Sequence, residues 1–464
     1  LNENIMTDSP NILCFFVDQQ RWDTCGCYGQ PLPVTPQLDA LAASGTRFEN
    51  AFTCQPVCGP ARAALQTGRY ASEVACEVNH RRLPAKTPTL ATYLNAAGYH
   101  TGYIGKWHLA STGPMGGPDD FRTKPVPPEL RGDYSSWLAS DVLEFTSHGY
   151  DGHMFDAAGN QRDFPEGRYR VDAQTDWVLE FLEDHHANRD EQPFFLITSY
   201  IEPHHQNDHH CYEGPHGSQE RWQHFTPPGD LIGQGGDWAQ EYPDYLGCIN
   251  ALDTNLGRVR EKLSALGMAD NTVVLYFSDH GSHFCTRNQE YKRSCHDGSI
   301  RIPLVASGPG FHGGHVRQEL ANLIDIPATI LRSAGIEIPA DYRGQPLQEA
   351  GDPKAPAWRT ASFAEISESH DGRCLRSQRY TYEISKSDQA EHAWFEAFLY
   401  DNETDPHQHN NLVNEPVLTE LRERFFKHIS ELMVANGEAE PILVSQTADA
   451  TNTNFRVHRM PQVH

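Results

Sequence analysis

The chain has 464 residues, with 37 Lys and Arg against 62 Asp and Glu, a formal charge of −25. That balance disfavours nucleic acid and anionic membranes as partners, and no apolar run is long enough to span a bilayer. The length gives one large domain and a smaller one. Eleven cysteines is an odd number, Cys25 and Cys27 are too close for a usual zinc pair, and no second pair stands at zinc-finger spacing. Mostly reduced thiols in a cytoplasmic protein are expected. The run Ile12 to Val17 is too short for a signal-peptide core and lacks a basic flank and a cleavage site.

Strand-length apolar runs alternate with helical patterns along the chain. Asn11–Val17 reads as a buried strand, 36–44 as a short helix, 60–67 as a helix and 89–97 as another, ended by Gly98. His100–Ile104 reads as a strand, 170–185 as an amphipathic helix through Val171, Val178 and Leu182, and 194–200 as a strand. A long helix over 242–266, strands over 272–278 and 303–306 and a helix over 324–334 complete the series. The expected fold is α/β, a largely parallel mixed sheet flanked by helices. Residues 112–167 and 204–236 are rich in Gly, Pro and polar residues and read as long excursions over one face, the kind of loop that carries function. The pattern changes past Pro339, and 351–356 reads as a linker. Short strands over 379–384 and 398–400 and a helix over 417–433 suggest a C-terminal α+β domain with a short antiparallel sheet. The expected boundaries are 8–350 and 360–464, the latter ending in a tail from Gln446 with little apolar periodicity.

A polar cluster stands directly after each of four predicted strands: Asp18-Gln19, Gly105-Lys106-Trp107-His108, Glu202-Pro203-His204 and Asp279-His280-Gly281. Open α/β sheets bind ligands at the carboxyl ends of their strands, so these clusters are expected to converge. Asp18, Gln19, Asp279 and His280 offer oxygen and imidazole donors for a divalent cation. Arg62, Lys106 and Lys292 offer positive charge, and His108 and His204 offer proton transfer near neutral pH. Of the histidines between 204 and 210, only His204, directly after the strand, is given a role; the others read as loop surface.

Cys58-Gly59-Pro60-Ala61-Arg62 is the most informative segment. Pro60 suits the first turn of a helix, which puts Cys58 at the end that attracts anions, with Arg62 one turn on. Taken alone, a Cys-x-Pro is most often a buried thiol. A phosphatase loop is excluded, because its arginine would fall at position 64, which is Ala64.

Together these residues resemble the formylglycine-dependent (type I) sulfatases of the alkaline-phosphatase superfamily. Cys58, Pro60, Arg62, Leu65, Thr67 and Gly68 match the signature C-x-P-x-R-x-x-L-x-T-G at each fixed position. The segment from Gly98 to His108 is similar to a second signature, and Lys292 with Ser299 to Leu304 to a third. Tyr400-Asp401, Asp405-Pro406 and Asn411-Leu412 are similar to the family's C-terminal domain.

The resemblance implies an alkaline-phosphatase-like fold and a mechanism. Cys58 would be oxidised to formylglycine by a formylglycine-generating or anaerobic sulfatase-maturating enzyme, and the hydrated aldehyde would attack sulfur in line with the departing alcohol. The covalent stage splits one hard step into two. His108 would take the proton that lets sulfate leave, and His204 would protonate the leaving alcohol beside Lys292. Lys106 and Arg62 would stabilise the sulfuryl oxygens; Lys106, His204 and Lys292 would touch substrate. Asp18, Gln19, Asp279, His280 and the modified Cys58 would hold one metal ion, with calcium expected from the family and Mn²⁺ or Mg²⁺ left open. The substrate implied is a small sulfated carbohydrate.

Two positions depart from the pattern. Many sulfatases carry Asp where this chain has Gln19, and Asn where it has His280. Gln and His there also occur in related phosphonate monoester hydrolases and phosphodiesterases, but those relatives lack the Lys106 and His108 pair that this chain keeps. A third reading, a non-catalytic binder of sulfated sugar with unconverted Cys58, is disfavoured by the intact lysine and histidine set.

Overall fold

The computed structural model describes residues 9–189 and 192–445, so the tail from Gln446 lies outside the described residues. The first part of the chain runs β1 (Asn11–Val17), α1 (Pro36–Ser44), β2 (Thr46–Phe52), α2 (Cys58–Thr67), α3 (Leu90–Ala96) and β3 (His100–Lys106). Then come β4 (Ser136–Ser140), β5 (Ser147–His148), β6 (Asp151–Asp156), β7 (Gln161–Asp163), α4 (Arg170–Arg189) and β8 (Phe194–Ser199). Beyond them lie α5 (Ser218–Trp222), α6 (Trp238–Ala265), β9 (Thr272–Ser278), α7 (Asp297–Ile300), β10 (Leu304–Ser307), β11 (His315–Asn322) and α8 (Asp325–Ser333). Last are β12 (Ala361–Ile366), β13 (Gly372–Ser377), β14 (Tyr380–Lys386), β15 (Ala393–Asp401), α9 (Thr419–Ala435) and β16 (Ile442–Leu443).

Among the described residues, eleven strands form one mixed sheet in the order β11-β2-β10-β9-β1-β8-β3-β4-β6-β5, with β7 paired to β6. Its centre, β9-β1-β8-β3-β4, is parallel. A parallel strand covered on both faces must be apolar at every position, and β1 is nearly so, with Asn11 its one polar residue. Ile12, Cys14 and Phe16 pack with Ala61 and Leu65 of α2 and Ile330 of α8. Leu13, Phe15 and Val17 pack on the opposite face with Leu38 of α1, Val171 of α4 and Leu256 of α6. The sheet is thus a layer between two helical layers.

The second sheet has the order β12-β13-β14-β15-β16, antiparallel except that β16 joins β15 in parallel. Its residues Leu375, Tyr382 and Leu399 belong to the same apolar cluster as α2 and α8, so one core runs through both sheets.

The structure corrects the excursion expected over 112–167. That segment supplies β4 to β7, which extend the sheet edge rather than cross its face. The reason is chemical: β4 reads SWLAS and β6 DGHMFD, neither of which is an apolar run. The strand β2 carries no apolar run either, because half-buried Arg47, Glu49 and Asn50 interrupt its buried residues. By contrast, 204–236 is mostly loop, with only α5 inside it. Among the described residues no helix is long and apolar enough to cross a membrane.

A buried ion pair ties the second sheet to the first. Arg376 on β13 donates Nε to Asp297 Oδ1 at 2.9 Å and Nη2 to Oδ2 at 3.0 Å, at the start of α7. Removing one partner strands a buried charge. Arg376→Leu is therefore expected to lower unfolding stability by about 3–5 kcal/mol in urea melts, whereas Arg376→Met with Asp297→Leu should lose much less.

Candidate active site

The strand register delivers the site. Val17 pairs with Ser278, Phe16 with Ser199 and Gly105 with Ser199, so Asp18, Asp279 and Lys106 reach the same edge of the sheet. Close approach of β3 to β8 requires glycine at 105. Its φ is +119°, and a Cβ there would lie 1.9 Å from the Ser199 carbonyl oxygen. The strand β3 runs on to Lys106, two residues past its expected end at Ile104.

Cys58 is the first residue of α2, with Val57 extended before it. Its end of the helix is held from outside, because Gly59 N–H donates to Asn79 Oδ1 at 2.9 Å. Gly68, left-handed at φ +67°, closes the other end. Thr67 turns its hydroxyl back to the Ala63 carbonyl at 2.8 Å, and Leu65 enters the core. The signature residues thus divide into one that faces the site, Arg62, and several that fix the helix beneath Cys58.

The Cys58 sulfur sits where the clusters meet. It lies 3.4 Å from Asp18 Oδ1, 3.3 Å from His280 Nε2 and 2.9 Å from Lys292 Nζ. Donor atoms of Asp18, Cys58, Asp279 and His280 all lie within 4.8 Å of one another, and all four residues are buried. Two features show that this donor set fits a divalent cation. His280 Nδ1 lies 2.9 Å from the Gly281 carbonyl, which keeps the proton there and leaves Nε2 as a lone-pair donor. Asp279 Oδ2 accepts no hydrogen bond among the described residues. Burial, and then the neighbouring Asp18, push the Asp279 carboxyl up to about 6, as befits a carboxylate that needs a counter-charge.

Gln19 stands beside this group. Its backbone is left-handed, φ 72°, and its N–H donates to Asp279 Oδ1 at 3.0 Å. The amide is oriented by Tyr212, whose hydroxyl accepts from Nε2 at 2.8 Å, so Oε1 faces Lys292 Nζ at 3.4 Å.

Two of the three cations, Arg62 and Lys106, are paired with carboxylates. Arg62 Nη2 donates to Asp18 Oδ2 at 3.0 Å, and Nη1 to the Lys106 carbonyl and Ser199 Oγ, both at 2.7 Å. Lys106 Nζ bridges Asp18 Oδ2 at 2.9 Å and Glu144 at 3.1 and 3.2 Å. Burial pushes the Asp18 carboxyl up, but Lys106, His204, Arg62 and Lys292 together hold it well below the usual carboxylate range. Burial likewise favours the Cys58 thiol and Asp18 adds to that, yet Lys106, Lys292 and His280 outweigh them and lower it.

Two histidines stand near these cations. His204 directs Nδ1 at the His205 carbonyl, 2.6 Å away, and Nε2 at Lys292 Nζ, 3.1 Å away. Burial and the two lysines push its pKa down to about 3. Neither ring nitrogen of His108 has a hydrogen-bond partner among the described residues, and burial and Lys106 keep this ring neutral as well. The loop behind it is shaped by Asp141, whose carboxylate accepts from the N–H groups of Leu109, Ala110 and Ser111 at 2.8–2.9 Å.

Hydrogen bonds and ion pairs link Asp18, Gln19, Cys58, Arg62, Lys106, His204, Asp279, His280 and Lys292 around one point, whereas His108, two residues past Lys106, makes no side-chain hydrogen bond to them among the described residues. Glu144, Ser199, Asp141, Asn79 and Tyr212 join them without a signal in the sequence. They belong to no motif, and only position after a strand could have signalled Asp141 and Glu144, had β4 been recognisable.

Comparison with known proteins agrees with this geometry. Residues 10–336 match the family model described as sulfatase, and 289–435 match the one described as N-sulphoglucosamine sulphohydrolase, C-terminal. A curated relative named ulvan-active sulfatase, from Formosa agariphila, is 29% identical over 446 residues, covering 91% of this chain and 81% of its own. A solved structure in complex with its substrate D-glucosamine-2-N,6-O-disulfate shares the fold at TM-score 0.74 and 22% identity, over 93% of this chain and 99% of its own. A phosphonate monoester hydrolase from Silicibacter pomeroyi also shares the fold, at TM-score 0.67 and 23% identity, over 92% of this chain and 96% of its own. With the family model covering well over half of the chain and the signature residues meeting at Cys58, the chain belongs to the sulfatase family of the alkaline-phosphatase superfamily.

Proposed function

We propose that this sulfatase hydrolyses a sulfate ester on a small sugar or oligosaccharide, releasing the alcohol and inorganic sulfate. The observation that carries this reading is the meeting of Cys58 Sγ with Asp18, His280 and Lys292 at one buried point. Relatives named for ulvan and for a disulfated glucosamine support a carbohydrate substrate.

Conversion of Cys58 to formylglycine would place a hydrated aldehyde where Sγ now lies and supply the nucleophile. A divalent cation held by Asp18, Asp279, His280 and Gln19 Oε1, with calcium as the family's usual ion, would supply Lewis acidity there. The remaining steps fall to side chains. Arg62 and Lys106 fix Asp18 and present positive charge to the sulfuryl oxygens. His204 would protonate the departing oxygen, with Lys292 Nζ close by, 3.1 Å from His204 Nε2 and 2.9 Å from Cys58 Sγ. His108, neutral and with both nitrogens unengaged among the described residues, is placed to accept the proton whose removal lets sulfate leave.

The chain's Gln19 and His280 also suit phosphonate monoesters, and the shared fold with a hydrolase of that class keeps this as the second reading. The pair Lys106 and His108 favours sulfate.

Three outcomes are expected. In protein from its native host, mass spectrometry of the peptide spanning 48–62 should show Cys58 with aldehyde oxygen in place of the thiol; an unmodified thiol throughout would favour a sugar-binding protein instead. Lys106→Ala should lower kcat for an aryl sulfate by about 10²–10³-fold, while Cys58→Ala should leave no turnover above background. The wild-type protein should hydrolyse an aryl sulfate faster than the matching aryl phosphonate, and the reverse order overturns the choice of sulfate. A screen of mono- and disaccharides sulfated at defined positions then identifies the substrate.

A further inference from the structure

Glu144 is a buried acid beside the Cys58 site to which the reaction assigns no step. It follows the end of β4, and Gln206 Nε2 donates to its carbonyl at 3.0 Å. Its carboxylate oxygens lie 3.2 and 3.1 Å from Lys106 Nζ, which also lies 2.9 Å from Asp18 Oδ2. Burial favours the neutral acid, but Lys106 outweighs it and holds the Glu144 carboxyl below its usual value.

Stability alone gives no reason for this charge. Buried carboxylates are normally well supplied with donors, as Asp141 is by three N–H groups in the same loop. Among the described residues, no residue but Lys106 donates to the Glu144 carboxylate, and Oε2 accepts no hydrogen bond. A buried charge so sparsely bonded is costly. Lys106, for its part, already has a carboxylate partner in Asp18.

The consequence is electrostatic. Arg62, Lys106 and Lys292 face Asp18 and Asp279, and Glu144 supplies a third negative charge. One positive charge is thereby cancelled where an anion is to be received. Coulomb energy scales with the product of the charges, so this cancellation costs a doubly charged anion twice what it costs a singly charged one. A sulfate ester is singly charged, and the inorganic sulfate released from it is doubly charged. We propose that Glu144 sets the charge of the pocket so that the ester is held while the sulfate product is let go. The inference rests on the sulfatase reading. Glu144 acts on the anion through Lys106 and is not itself a catalytic group.

The test compares inorganic sulfate with singly charged methanesulfonate, by calorimetry in excess Ca²⁺ and as inhibitors of aryl sulfate turnover. Relative to wild type, Glu144→Gln should bind sulfate about tenfold tighter and methanesulfonate only about threefold tighter. Glu144→Ala, a second neutral variant, should shift both anions in the same order, and Glu144→Asp, which keeps the charge, should bind both as the wild type does. A residue that merely propped Lys106 would give the opposite sign, weaker sulfate binding on its loss. Weaker, unchanged or absent sulfate binding by the neutral variants, or equal tightening of the two anions, overturns the proposal. Absence of aryl sulfate turnover by the wild type overturns the sulfatase reading instead, and the calorimetric comparison still decides the role of Glu144.

Discussion

The structure around the site depends on keeping Asp18 ionised in a place without water. A carboxylate buried this deeply is costly unless it is paired and hydrogen-bonded. Asp18 meets the requirement with Arg62 on one side and Lys106 on the other, each reaching Oδ2 within 3.0 Å. The balance extends outward. Three carboxylates, Asp18, Asp279 and Glu144, face three cations, Arg62, Lys106 and Lys292. A dication added to that set brings excess positive charge, and an anionic sulfate ester is what the surplus attracts. The overall acidity of the chain therefore does not exclude an anionic substrate; it leaves recognition to one buried pocket.

The scaffold explains how such a charge set can be held. The pocket rests on the ends of four adjacent strands and the first turn of α2, all rigid elements, rather than on mobile loops. The polar edge is bound from behind by a core that runs into the second sheet. Lys292 itself comes from an irregular segment, and its backbone is fixed by His283, whose Nε2 meets the Lys292 carbonyl at 2.9 Å.

The parts legible in the sequence are those where physics leaves a local trace. Parallel strands buried on both faces must be largely apolar, so β1, β8 and β9 stand out, and the polar residues at the end of each strand are placed along with it. The strands β4 and β6 carry Ser, Asp and His at the sheet's edge and leave no such trace. Glu144 is the instructive omission. Without it Lys106 reads as free positive charge for substrate, but the lysine is shared between Asp18 and Glu144. Buried polar partners are chosen by three-dimensional neighbours, and nothing at their own position in the chain announces them.

Gln19 shows what a single departure from a family pattern does. An aspartate in its place would add a negative charge to the cluster. The amide instead turns its oxygen toward Lys292 Nζ at 3.4 Å and anchors its nitrogen on Tyr212. Lys292 is then left without an acidic partner among the described residues, its contacts being Cys58, His204 and Gln19. An ammonium without an acidic partner is the one of the three cations least neutralised by its neighbours. The ion-binding group meanwhile holds two carboxylates, which a dication neutralises without overcompensation. Gln19 thus leaves the cluster with one carboxylate fewer and leaves positive charge beside it, an arrangement that favours an anion there.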